Sequence, residues 1–246
     1  MRFPNLRFSR AVKSLCLISI FLFAGVVVAK DFWETTAFVQ WSQKDCQKML
    51  DDSPWVKELA LVSAFGGGGG AATDSQAPYI KYKIQLRSAA PVRQAIVRQR
   101  QIEEKYDSLP DDKKQAFDQS VESFLLGPGS EFVVVQVSFS TNNRDYLRDL
   151  NRHWETQTTE LLRNSVFLSV PKGEKVPLAR FVPGASVSQE FQFVFPREVN
   201  GREILKPGDK AIQLEFAYPV VGSLGDGRGF LEFKTDKMKI NNEVSY

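Results

Sequence analysis

Apolar and polar residues alternate most cleanly between Tyr79 and Leu86, where Ile80, Tyr82, Ile84 and Leu86 share one face and Lys81, Lys83, Gln85 and Arg87 share the other. A period of two predicts a half-buried β-strand. An apolar run from Leu59 to Phe65 precedes it, and Gly66 to Gly70, Ala71-Ala72 and a polar stretch to Pro78 join the two. The pair therefore reads as an antiparallel hairpin with a long flexible loop. Upstream, past the aromatic segment Phe32, Trp33, Phe38 and Trp41, Ser42 and Asp45 form a capping box. Cys46, Met49 and Leu50 then fall on one helical face. This helix is expected to stop near Ser53-Pro54-Trp55, because a proline ring crowds the preceding residue out of the helical region.

Downstream of the hairpin the period changes to that of a helix. Pro91 suits a first helical turn, and Val92, Ile96, Gln99, Ile102 and Tyr106 follow as a weak stripe flanked by Arg93, Arg98, Arg100 and Lys105. Ser108 to Pro110 restarts the chain into a second helix with Phe117, Val121, Phe124 and Leu125 inward, stopped by Gly127-Pro128-Gly129. Phe132 to Ser140 is a strand with Val133, Val135 and Val137 on one face. Asn142 or Asn143 then caps a third helix carrying Leu147, Leu150, Trp154, Leu161 and Leu162, with His153, the only histidine, beside that stripe. From Ser165 onward every signal is β. Phe191, Phe193 and Phe195 alternate, Asn200-Gly201 marks a type I′ hairpin turn, and Lys206-Pro207-Gly208-Asp209 marks another turn. Ile212, Leu214, Phe216 and Tyr218 alternate again, and Leu231, Phe233, Met238 and Ile240 complete the last strand or pair of strands. The fold class expected is α+β, with N-terminal helices and a β-hairpin followed by a C-terminal antiparallel β sheet or sandwich.

Residues 1–29 change what the composition means. Arg2, Arg7, Arg10 and Lys13 precede an apolar run from Leu15 to Ala29 that ends in Val27-Val28-Ala29, the layout of a secretory signal peptide with a small-residue cleavage site. The run is shorter than the roughly 20 residues that span a bilayer, so cleavage after Ala29 is expected, with an uncleaved anchor as the alternative. Leu15 before Cys16 does not suit lipidation. Removal of the signal lowers the 32 basic residues to 28, against 29 acidic ones. The sequence pI near 8.8 then carries no implication of nucleic acid binding or of attraction to an anionic membrane. Residues 30–246 form one α+β module, with a possible subdivision into 30–163 and 164–246. Apolar residues make up 43% of the chain and 19 are Phe, which is enough to build a core. Cys46 is the only cysteine left after cleavage, so an intrachain disulfide has no second partner.

Little in this inventory points to chemistry. With one His and, after cleavage, one Cys, a structural zinc site is close to impossible and a catalytic His₂ or His₃ zinc site cannot be assembled, and no H-E-x-x-H, C-x-x-C, calcium loop or G-x-S-x-G elbow is present. The glycine run lacks the Lys-Ser or Lys-Thr and the following helix of a phosphate cradle, and reads as a linker. Cys46 reads as a small core residue rather than a reactive thiol. No cofactor, metal or catalytic residue is assigned. The one place where polar groups converge on a special backbone position is Arg87-Ser88-Ala89-Ala90-Pro91-Val92-Arg93. There a helix start could bind an anion between two guanidiniums, with Arg87, Ser88 and Arg93 as candidates and both arginines expected on polar faces. A solvated basic face pairing with nearby carboxylates is the plainer reading.

The segments Trp41-Ser42-Gln43-Lys44-Asp45, Ser53-Pro54-Trp55, Arg87-Ser88-Ala89 and Pro91-Val92-Arg93 resemble exported bacterial proteins of unassigned function. The resemblance implies export, to the periplasm or the medium, and a single integrated module, and it implies no activity. The expected function is that of a non-enzymatic, envelope-associated or secreted interaction protein. Its expected partner is a protein or envelope component, with no nucleic acid and no stable membrane span after signal cleavage. A periplasmic small-anion binder and a carboxylate-dependent hydrolase of extracellular polymer are the alternatives.

Overall fold

The computed structural model describes residues 31–62, 77–126, 131–185 and 188–246. The signal-peptide reading, the glycine loop and the Gly127-Pro128-Gly129 stop lie outside them. The chain divides after Thr35. Before that point stands one short helix, α1 (Phe32–Thr35), whose Phe32 and Trp33 rings meet edge to face at 5.0 Å.

The rest forms one compact unit. A 3₁₀ turn (Phe38–Gln40) leads to α2 (Gln43–Asp51), which has the expected capping box: the Asp45 amide donates to Ser42 Oγ and the Ser42 amide to Asp45 Oδ2. Strands β1 (Val56–Val62) and β2 (Tyr79–Leu86) pair antiparallel with Leu59 opposite Tyr82, so β1 begins three residues before the apolar run that announced it. Next come α3 (Ala90–Glu103), a 3₁₀ turn (Tyr106–Ser108), α4 (Asp111–Leu126) and β3 (Phe132–Thr141). Asn143, rather than Asn142, caps α5 (Arg144–Glu155), accepting from the Asp145 and Tyr146 amides.

The third helix is not continuous to Leu162. α5 stops at Glu155, where the Thr156 hydroxyl bonds back to the Arg152 and His153 carbonyls, and Thr158 caps a separate short helix α6 (Thr159–Leu162). The break rotates Leu161 out of the stripe, leaving it 64% exposed, while Leu162 stays buried.

Strands β4 (Val166–Ser169), β5 (Val176–Pro177), β6 (Arg180–Val182), β7 (Glu190–Pro196), β8 (Glu198–Val199), β9 (Arg202–Glu203), β10 (Ala211–Ala217), β11 (Arg228–Lys234), β12 (Lys239–Ile240) and β13 (Glu243–Val244) complete the chain. All pairings are antiparallel, and the protein is α+β. A five-stranded sheet runs β1-β2-β3-β7-β6 and a four-stranded sheet runs β11-β10-β4-β5. The first takes three strands from before residue 164 and two from after it, so the hairpin and the C-terminal β region share one sheet.

The two sheets meet through aromatic side chains on their inward faces. Tyr82 lies 5.8 Å from Phe216 and 5.7 Å from Tyr218, and Phe193 lies 5.9 Å from Phe216. Trp154 of α5 enters this cluster and stacks on Phe191 at 4.1 Å. The edges β1 and β11 also touch. A Cβ placed on Gly229 would come within 2.6 Å of Phe216 Cε1 and 3.1 Å of Leu59 Cδ2, so the close approach requires glycine there. On the opposite face of the five-stranded sheet, Gln192 donates to Gln136 and Gln136 to Glu190, while Gln85 donates to the Leu50 carbonyl of α2.

Both predicted turns form. Asn200 and Gly201 have φ of 53° and 71°, as a type I′ turn between β8 and β9 requires, and the Asp209 amide closes the second turn onto the Lys206 carbonyl. The β12–β13 hairpin turns on Asn241 and Asn242, both at positive φ.

Candidate functional site

The helix start at Arg87–Arg93 is built from three directions. At the end of β2 the Arg87 and Ser88 amides both donate to the Val134 carbonyl, and Ser88 Oγ accepts from the Val134 amide at 3.1 Å, which locks the strand end to β3. Pro91 then opens α3, whose cap Ala89 has no side chain able to bond the first turn. The C-terminal residues supply that function instead: the Ala90 amide donates to Ser245 Oγ at 3.0 Å, and the Trp55 indole donates to the Ser245 carbonyl at 2.6 Å. Arg197 stacks on the Tyr246 ring at 3.9 Å and donates to the Tyr246 carbonyl.

Here the expected polar face of α3 must be corrected. Arg93 is buried, only 9% exposed, along with Pro91, Val92, Ala95 and Val97. The expected stripe through Ile96, Gln99, Ile102 and Tyr106 is only half-buried, and the covered side of the helix runs through Arg93, Val97 and Gln101. The C-terminal residues and Arg197 enclose the first turns from another side, which no local period reveals. Arg93 Nη1 donates to the Ser88 carbonyl at 2.7 Å, and burial, then the charge of Arg197, holds its pKa below the usual arginine value. Arg87 turns elsewhere. Its guanidinium lies 5.7 Å from the centre of the Phe124 ring on α4, its pKa lowered by burial and partly restored by Glu190. The structure thus brings Ser88 and Arg93 together and separates Arg87 from them. The first-turn amide that would face an anion is bonded to Ser245.

The other candidate groups sit in packed surroundings. Cys46 is fully buried and burial pushes its thiol pKa up to about 11, which disfavours thiolate chemistry. His153 packs edge-on against Trp154 at 4.9 Å, and burial lowers its pKa. Among the described residues, no three His, Cys, Asp or Glu side chains are placed to hold a metal ion, and no helix is long and apolar enough to cross a membrane.

A second feature lies where α4 packs on α3. Val97 of α3 and Phe117 and Val121 of α4 form a small satellite core, with Phe38, Tyr106, Phe124 and Leu125 half-buried against it. Beside this core runs a groove of about 890 Å³, walled by Phe38, Val39, Tyr106, Val121, Leu125 and Leu126. Val39 is 48% exposed and Leu126 77%. The groove rim carries Asp107, Asp111, Asp118 and Glu122 against Arg98 and Lys114. The apolar positions 117, 121, 124 and 125 were legible as a helical stripe. That Phe38 and Val39 would stand beside them was not, because the contact spans some 80 residues of chain. A separate groove of about 1120 Å³ near the β12–β13 hairpin has a mixed lining of carboxylates and lysines.

Comparison with known proteins returned no match: no family model, no curated protein and no solved structure is similar to this chain.

Proposed function

We propose that this chain is an exported, non-enzymatic interaction protein and that its partner seats in the groove between α3 and α4. The supporting observation is the pair of largely exposed apolar side chains, Val39 and Leu126, lining one continuous depression whose floor is already apolar. A contiguous apolar depression of this kind marks a binding surface more often than bare solvent-facing protein, whereas single exposed apolar residues such as Val62, Val220 and Phe230 are ordinary.

Site-specific photocrosslinking in the cells that make the protein tests this reading. A crosslinkable residue at 39 or 126 should trap one discrete partner that the same residue at 62 or 230 does not trap. Equal yields at all four positions, or none at 39 and 126, would overturn it. Export is tested by N-terminal sequencing of the protein recovered outside the cytoplasm, which should begin at or near Lys30.

A further inference from the structure

We infer that the groove is made for a basic amphipathic helix of a partner protein. This rests on the reading of the groove as a binding surface and adds the chemistry of what it binds.

Three features carry it. The first is shape: the groove follows α4, whose 16 residues run about 24 Å at 1.5 Å per residue. A helix of about four turns laid alongside could place apolar side chains at i, i+3, i+4 and i+7 onto Val39, Leu125 and Leu126. The second is charge. Four carboxylates rim the groove against two cations, in a chain whose residues 30–246 are otherwise close to neutral.

The third is the state of those charges. Arg98 is committed inward: its Nε donates to the Trp41 carbonyl and Nη2 lies 3.6 Å from Asp107. Lys114 stands over the Tyr106 ring at 5.9 Å, and Asp118 accepts the Tyr106 hydroxyl at 2.9 Å. Asp111 and Glu122 have no ion-pair or hydrogen-bond partner among the described residues. The cations at the rim are thus occupied and two of the acids are not, which leaves a negative field over an apolar floor. Lysines or arginines flanking an apolar stripe complement both, and the charges would steer the encounter and set its orientation. A second copy of this chain fits less well. Among the described helices, α5 balances Arg144, Arg148 and Arg152 with Asp145, Asp149 and Glu155 and turns Leu150 and Trp154 into its own core, and the net-basic α3 buries Val92, Ala95 and Val97.

The test uses the full protein and a labelled 15-residue peptide with Leu at helical-stripe positions and Lys elsewhere, beside an otherwise identical peptide with Glu for Lys. The Lys peptide should bind at least tenfold more tightly than the Glu peptide, and more weakly at 0.5 M salt, where the screening length falls to a few ångströms. Val39→Asp or Leu126→Asp should weaken it at least fivefold. The pair Asp111→Lys with Glu122→Lys should remove or invert the preference, while Glu243→Lys in the distant mixed groove should leave it unchanged.

Equal binding of the two peptides, or a preference indifferent to Asp111→Lys with Glu122→Lys, would overturn the inference. So would self-association in sedimentation that Val39→Asp abolishes, which would assign the groove to a second copy. If neither peptide binds while crosslinks from 39 and 126 persist, the partner is not a basic helix but the groove remains a binding surface. If the crosslinks are absent as well, both readings fall.

Discussion

The start of α3 and the groove beside α4 both set charged side chains against large apolar ones, guanidiniums at the first and mainly carboxylates at the second, and they differ in what covers them. At the helix start most polar groups bond inward: the Trp55 indole donates to Ser245, Ser88 Oγ accepts from Val134, and Arg93 Nη1 reaches back to the Ser88 carbonyl, while the buried Nε atoms of Arg93 and Arg197 have no hydrogen-bond partner among the described residues. At the groove, Val39 and Leu126 stand largely in solvent, and Asp111 and Glu122 have no ion-pair or hydrogen-bond partner among the described residues. Short motifs that look functional in a sequence can thus be spent on holding a chain together, while a weakly patterned helix can carry the open surface. The guanidinium of Arg93 is better explained as a buried tie between helix and strand than as a waiting ligand site.

This contrast predicts unequal sensitivity to substitution. The largest effect belongs to Trp55→Ala, which removes a fully buried indole and its bond to Ser245. It should cost about 3–5 kcal/mol in urea unfolding, and a loss below 1 kcal/mol would mean that the C-terminal residues do not depend on it. Ser88→Ala should cost about 1–3 kcal/mol, because the part-buried Val134 amide loses its acceptor, and Ser88→Thr, which keeps the hydroxyl, should cost less. Cys46→Ser should cost about 1–2 kcal/mol by burying a hydroxyl in place of a thiol. The native thiol should resist maleimide until the protein unfolds.

A smaller effect comes from His153. Its folded pKa lies below its unfolded value near 6.5, so the unfolded chain takes up the proton first. The associated stability is complete above about pH 6.5 and is lost as the pH falls through the depressed folded value. His153→Gln should flatten the stability profile in that acidic window and leave it unchanged at pH 8, which thermal melts across the range would read. The smallest effect is at the groove: Leu126→Asp should change folding stability by no more than about 0.5 kcal/mol while weakening peptide binding. A large loss of stability there would mean that the groove is part of the core rather than a surface.

The elements were legible where local physics suffices. The capping box at Ser42 and Asp45, the alternation of Ile80, Tyr82, Ile84 and Leu86, the Phe191, Phe193 and Phe195 triplet and the Asn200-Gly201 turn each follow from a short-range rule, and each forms as read. The errors have long-range or competing causes. Leu161 and Leu162 continue the spacing of the third helix, so the period alone predicts one helix through Leu162. The hydroxyls of Thr156 and Thr158 end one helix and begin another there, a competition that hydrophobic period does not register. Arg93 falls on the polar side of the local helical period, yet it is buried at a helix start closed by Ser245 and Arg197, which lie more than 100 positions away.

By itself the sequence determined the α+β class, the order of α2, β1, β2, α3, α4, β3 and α5, the inward faces of β2, β3, β7 and β10, and the burial of Cys46. These depend on periodicities of two and 3.6 residues and on turn residues with fixed backbone preferences, all of which act within a few positions. Only the tertiary structure decided that the hairpin strands and β6 and β7 form one sheet, that the C-terminal residues cap α3, and that Phe38 and Val39 meet α4 to make a groove. Those outcomes depend on which apolar faces find each other once the chain closes its long loops, and burial of area is non-directional. It therefore leaves no mark on local spacing.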